Sequence, residues 1–223
     1  MIERVAQSVA RVLKKIEQAA IRSGRSPEEI VLVAASKGVG IAQVREAARS
    51  GVAVFGENRV REGVQKFFVE GQERFSVHFI GPLQTNKVRQ VVGLFDLIHS
   101  IDSLHLAEKV HQEAEKRAIV QPVLIEVNLA GEISKQGVSV EALSRLVWEV
   151  GQLRHLSLQG LMVIPPVTPN AEGARPYFAS LRRLGTQVGI HQFSMGMSSD
   201  FEVAIEEGAK WVRVGRAIFG ERN

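Results

Sequence analysis

From residue 30 onward the chain alternates short apolar runs with helical segments, eight times over, and no hairpin signal interrupts the alternation. Residues 30–35, 52–55, 77–80, 97–99, 123–128, 158–164, 192–194 and 211–214 read as strands. Residues 41–50, 59–68, 86–92, 104–117, 140–153, 171–184 and 200–207 read as the helices between them. Strands separated by helices lie parallel and are joined by right-handed crossovers. Eight such units predict one closed (β/α)8 TIM barrel of the α/β class; an open, doubly wound sheet is the competing arrangement. Val5, Val9, Val12, Leu13 and Ile16 form a stripe that adds an N-terminal helix at about residues 2–22, and residues 1–223 read as a single domain.

Composition removes several function classes. At 223 residues and 45% hydrophobic the chain can bury a full core. Its 28 Lys+Arg against 24 Asp+Glu are scattered rather than blocked, which predicts a solvated surface and no nucleic-acid binding. Without cysteine there is no disulfide framework, thiolate nucleophile or Cys-ligated metal, and a reducing cytoplasm is expected. No apolar run approaches the ~20 residues that cross a bilayer, and Met1-Ile-Glu-Arg4 lacks a signal peptide's order, so no membrane association is expected. The six histidines lack the i, i+4 pairing of a helical metal site. Gly38-Val-Gly-Ile-Ala-Gln43 imitates a dinucleotide fingerprint, but Gln43 stands where close helix packing needs the third glycine. Ser194, Ser198 and Ser199 have no nucleophile-elbow context.

In such a barrel the chemistry sits at the strand C-terminal ends, with phosphate commonly held after the last two strands. The chemically able residues of this chain fall there. Lys37 follows the first strand, Glu57 and Asn58 the second, and Gly81 to Lys87 the third. Asn128 ends the fifth, Met162 lies late in the sixth, Ser198 and Ser199 follow the seventh, and Gly215 with Arg216 follows the eighth. A lysine attacks carbonyls when its ammonium is desolvated or set beside another cation; otherwise Lys37 is a solvated strand end. Ser199 and Glu202 are spaced as a capping box, so a helix would start there with free amides that attract phosphate, and Gly196 would let the backbone come close. Gly215-Arg-Ala217 offers further amides. Arg213 sits between apolar neighbours on a strand buried on both faces and needs a partner, either a carboxylate such as Glu126 or a ligand ring nitrogen. Asp96 and Asp102 read as structural or capping residues. An amine and two donor loops are the parts needed to hold an aldehyde that carries a phosphate.

Taken in order, Val33-Ala-Ala-Ser-Lys37, Phe55-Gly-Glu-Asn58, His78-Phe-Ile-Gly-Pro-Leu-Gln-Thr-Asn-Lys87, Glu126-Val-Asn128, Ser134-Lys-Gln-Gly137, Gly160-Leu-Met162, Ser194-Met-Gly-Met-Ser-Ser-Asp200 and Val212-Arg-Val-Gly-Arg-Ala-Ile-Phe-Gly220 carry a family likeness. The chain resembles the pyridoxal phosphate homeostasis proteins, whose barrel is similar to the N-terminal domain of bacterial alanine racemase. The resemblance implies a monomeric, cytoplasmic barrel that holds pyridoxal 5'-phosphate (PLP) as an imine on Lys37, with Arg213 facing the pyridine nitrogen. It places Ser198, Ser199 and the backbone of Gly215 and Arg216 on the phosphate, and Asn58 and Met162 near the ring. Arg216 stands where many members carry a small hydroxyl residue, which leaves the backbone donor intact and offers the guanidinium in place of the missing hydroxyl. The implied role is a carrier and buffer of PLP without turnover, with PLP-dependent apoenzymes as partners; the alternative is a racemase-like PLP enzyme. A racemase of that type opposes its lysine with a tyrosine from a second domain, whereas this chain ends at Asn223 and its only tyrosine, Tyr177, falls on an outer helix. A cofactor-free Schiff-base aldolase is a third reading, and Lys87 with Lys135 is a candidate second phosphate site.

Overall fold

The computed structural model describes residues 2–69, 74–131 and 136–221. Nine parallel strands run β1 Val31–Ala35, β2 Val54–Glu57, β3 Ser76–Phe79, β4 Leu97–Ile101, β5 Gln121–Asn128, β6 Val138–Ser139, β7 Leu156–Met162, β8 Phe193–Ser194 and β9 Trp211–Val214. Their order is β4-β3-β2-β1-β9-β8-β7-β5, and β4 also pairs with β5. That last pairing, with Ile98 opposite Val123, closes the ring into an eight-stranded barrel and removes the open-sheet alternative. The ninth strand, β6, lies outside the ring and pairs only the C-terminal end of β5, Val127 with Val138.

Eight α-helices surround the ring: α1 Ile2–Arg22, α2 Ile41–Arg49, α3 Val60–Gly63, α4 Leu104–Lys116, α5 Val140–Gly151, α6 Arg175–Gln187, α7 Phe201–Glu206 and α8 Arg216–Phe219. Several boundaries differ from the sequence expectation for local reasons. Val52, read as the start of a strand, instead donates its N–H to Ala47 O and closes the end of α2, so β2 begins two residues later. The helix expected over 59–68 is one α turn that widens into a π-helix at Val64–Val69. The segment expected over 86–92 is a 3-10 helix, Thr85–Gln90. Between α1 and β1, Ser26 to Glu29 forms a single 3-10 turn, Pro27–Glu29, in which Glu29 Oε1 accepts from the Ser26 amide at 3.2 Å. β6 and α8 have two and four residues, too short for any periodicity to announce them.

Strand alternation divides the apolar residues into two layers. Leu32, Ala34, Phe55, Val77, Phe79, Ile98, Ile125, Val212 and Val214 point outward and pack under the helices in one continuous core. Phe55 is wholly buried there, and its ring lies 5.8 Å from that of Phe67 and 5.5 Å from that of Phe75. The inward set is small: Val33, Ala35, Ile80, Leu97, Leu124, Met162 and Trp211. The remaining interior is polar, with His78, His99, Ser194, Glu126 and Arg213 all buried. A barrel whose apolar plug stops short of its C-terminal end has room for chemistry at that end. α1 buries Val5, Val9, Val12, Ile16, Ala19 and Ala20, and its polar face ties to α7 through Lys15 Nζ–Glu202 Oε1 at 2.8 Å and Arg22–Glu206 Oε1 at 3.0 Å. Among the described residues no helix is long and apolar enough to cross a membrane.

Candidate functional site

A cavity of about 400 Å³ opens at the C-terminal rim, within the ordinary range for small-molecule sites. Asn58, Ser198, Ser199, Arg213, Gly215 and Arg216 line it, with Ala35 and Ile80 as its apolar wall. Six of the eight residues nominated from the sequence therefore meet around one space, although they come from the ends of three strands scattered along the chain. Lys37 occupies the turn after β1 and lines an adjoining cavity of about 710 Å³ together with Arg4 and Arg59; Glu221 borders both spaces. Met162 is fully buried and packs with Ala35 and Ile80, so it lies in the floor beneath the cavity rather than on its surface.

The loop after β8 is shaped by Gly196, whose φ of +89° is left-handed and whose Cβ, if present, would meet Ala204 Cβ at 2.5 Å. That close approach lets Gly196 O accept from the Arg213 amide at 2.9 Å and holds the loop over β9. The capping box expected between Ser199 and Glu202 does not form. α7 starts at Phe201, and Asp200 Oδ1 instead accepts from the Met197 amide at 2.6 Å. Glu202 turns outward because two cations of α1, Lys15 and Arg22, lie within reach. Ser198 Oγ accepts from the amides of both Gly215 and Ala217 at 3.3 Å, so hydroxyl and amides converge on one spot. Arg216 is exposed at the mouth. Asn58 is held from behind by Gly81, where an added Cβ would lie 2.3 Å from Asn58 O.

Arg213 does not form its closest contacts with Glu126. Its guanidinium donates to Ser194 Oγ at 2.6 Å and to Val163 O at 2.9 Å, and Glu126 acts on it only at longer range. Burial brings its pKa down to about 10, so it stays charged at neutral pH. The chain of contacts continues inward, from Ser194 Oγ to His99 Nδ1 at 2.9 Å and from His99 Nε2 to His78 Nδ1 at 3.0 Å. Arginine can only donate. Ser194 Oγ therefore accepts from Arg213, and its own proton is free to be given to His99 Nδ1; in that tautomer the His99 proton lies on Nε2 and His78 Nδ1 accepts. The sequence reading weighed these histidines only as metal ligands and missed this; β3–β4 register, with His78 opposite Leu97, is what sets His99 beside His78.

Elsewhere the sequence expectations fall as follows. Asp96 is structural, with Oδ2 accepting from Ser76 Oγ at 2.9 Å and from the Val77 amide at 2.8 Å. Tyr177 is half-buried on α6 in the outer layer. Lys87 lines a separate opening with Arg59 and Arg61, and Lys135 lies outside the described residues. No cluster of metal-ligating side chains occurs among the described residues.

The interior carries two opposed titrations. Burial lowers the pKa of His78 to about 4, so the fold holds it neutral and loses stability as pH falls from about 6.5 toward 4. Burial raises that of Glu126 to about 7, with Arg213 opposing the shift and Asp102 adding to it. Its protonated form is favoured in the fold, a contribution present at low pH and lost as pH rises from about 4.5 to 7. The two terms offset each other over the same window. Removing one exposes the other: between pH 7 and pH 5, Glu126→Gln is expected to lose about 2 kcal/mol more than the parent, at 1.36 kcal/mol per pH unit. Urea midpoints at the two pH values measure this, and identical pH profiles for variant and parent would refute it.

Residues 7–223 match the family described as alanine racemase, N-terminal domain. The chain is 45% identical over 222 residues, covering 97% of each sequence, to the pyridoxal phosphate homeostasis protein of Aquifex aeolicus. It is 34% identical to PipY of Synechococcus elongatus, solved with PLP bound, with a TM-score of 0.82 over 97% of this chain and 100% of that one. An alanine racemase of Clostridium difficile shares the fold alone, at 14% identity and a TM-score of 0.75, and this chain covers 57% of it. A barrel closed at β4–β5, a family match over residues 7–223 and identity at this level over nearly the full length have one consequence: the chain belongs to the pyridoxal phosphate homeostasis proteins, within the alanine racemase N-terminal domain family.

Proposed function

We propose that this protein is a single-domain, monomeric, cytoplasmic carrier of pyridoxal 5'-phosphate, which it holds in the 400 Å³ cavity and buffers for PLP-dependent apoenzymes without turning substrate over. The observation that carries this reading is the convergence of a buried guanidinium and a set of hydroxyl and amide donors on one cavity of suitable size. The residues fit that cofactor. Ser198, Ser199, the Arg216 guanidinium and the backbone of Gly215 and Arg216 would offer donors to a phosphate, the Gly215 amide by exchanging Ser198 Oγ for it; Asn58 and the Ala35–Ile80 wall border a ring, and Met162 supports that wall from below. When bound, PLP supplies an aldehyde that a lysine amine captures reversibly as a Schiff base. Lys37 is the amine proposed for that capture, its flexible four-carbon stem swinging past the wall shared at Glu221. Arg213 would face the ring nitrogen with donors only, leaving that nitrogen unprotonated and the ring a weak electron sink. Such a site retains its aldehyde rather than driving carbanion chemistry.

The purified protein is incubated with PLP, reduced with borohydride and mapped by mass spectrometry. One pyridoxyl adduct on Lys37 is expected, and an adduct elsewhere, or none, refutes the site. Deuterium exchange at the α-carbon of alanine should not exceed that of free PLP; faster exchange would favour the racemase-like alternative.

A further inference from the structure

Lys66 is an almost fully buried lysine that does not itself line the cavity, and its ammonium is engaged three times over. Nζ donates to Ser36 O at 2.7 Å, to Glu57 Oε1 at 2.6 Å and to Glu62 Oε1 at 3.1 Å. Ser36 Oγ donates to the same Glu57 oxygen at 2.8 Å, and the Gly38 amide donates to Glu62 Oε1. The residues so gripped are the two neighbours of Lys37. The carbonyl before it is held by Lys66, the amide after it by Glu62, and the hydroxyl of Ser36 by Glu57. The side chain of Lys37 itself has no hydrogen bond or ion pair among the described residues.

This arrangement is costly for stability alone. Glu57 is wholly buried, its Oε2 has no partner among the described residues, and desolvation raises its pKa against the pull of Lys66. Apolar side chains of similar volume often serve a fold as well as a buried ion pair does. The pair also depends on an unusual backbone: Lys66 lies in the π-helix Val64–Val69, a widened turn of the kind that often marks functional sites. A buried charge cluster that holds the backbone on both sides of Lys37, at Ser36 O and at the Gly38 amide, and leaves the Lys37 side chain free, fixes the direction in which that side chain departs.

We propose that Lys66, braced by Glu57 and Glu62, is a positioning residue that aims Lys37 at the aldehyde of PLP, a role that rests on the reading of Lys37 as the attachment point. Two probes separate aiming from general support of the site. 4'-Deoxypyridoxine 5'-phosphate has the ring nitrogen and phosphate but no aldehyde, so its binding reports the cavity alone; PLP reports the cavity plus capture. For Lys66→Met, the affinity for the deoxy compound should stay within about twofold of the parent, while the apparent affinity for PLP, read from the imine absorbance band, falls at least tenfold. Glu62→Ala, at a partly exposed position, should shift the same ratio about threefold and serves if Lys66→Met does not fold. Equal weakening of both probes would make the cluster merely structural and overturn the proposal, as would unchanged PLP capture. If the parent protein itself forms no imine band, the fault lies with Lys37 as attachment point, and the positioning role falls with it.

Discussion

Lys37→Ala is expected to lose the PLP imine band completely and to weaken PLP retention at least a hundredfold, about 3 kcal/mol. The deficit is one of covalent capture, not of folding. Lys37 sits half-buried in a turn, with no hydrogen bond or ion pair to lose among the described residues, so its truncation should change stability by less than about 0.5 kcal/mol. The cavity proposed for ring and phosphate is lined by other residues, so 4'-deoxypyridoxine 5'-phosphate should bind the variant nearly as well as the parent. Titration by absorbance, with the deoxy compound followed by calorimetry, checks both halves. A variant that retains a borohydride-reducible imine would remove Lys37 from the site.

Arg213→Met is expected to damage the fold and the site together. The guanidinium is buried against Ser194 Oγ and Val163 O, and its loss leaves a buried carbonyl without its donor and the serine hydroxyl without the partner that orients it, at a cost of about 1–3 kcal/mol. Glu126, already pushed toward its protonated form by burial, would also lose the cation that opposes this, so its pKa should rise above about 7. In the loaded protein, removal of the donor facing the ring nitrogen should shift the absorbance maximum of bound PLP and weaken the deoxy compound as well, in contrast to Lys37→Ala. Urea unfolding and the spectrum are the readouts. A variant as stable as the parent, with an unshifted spectrum, would mean that Arg213 neither supports the interior nor faces the ligand.

These two residues differ in how they could be seen beforehand. Arg213 was conspicuous because a charge between Val212 and Val214 on a doubly buried strand conflicts with local expectation, and such conflicts gather at functional sites. Its partners were not legible: Ser194 and Val163 lie 19 and 50 residues away, and only barrel closure brings them to it. Lys37 was legible from its place at the end of an apolar run, but the cluster holding its turn was not. Nothing in the helix expected over 59–68 singles out Lys66, and the π-helix in which it lies breaks the 3.6-residue period from which a buried face is read. The Ser199–Glu202 capping box failed for a similar reason, since the cations that draw Glu202 away belong to α1, 180 and 187 residues earlier.

The sequence by itself determined the barrel and the membership of its rim. Both follow from local periodicity and from the order of strands and loops, which the chain carries along its length. Tertiary structure alone decided which rim residues share a cavity, that Met162 lies in its floor, that His78 and His99 extend the anchorage of Arg213, and that Lys66 grips the turn of Lys37. Those relations depend on strand register, on ring closure between β4 and β5, and on the rotational phase of each helix. Such quantities arise from packing between distant segments, and no local pattern encodes them.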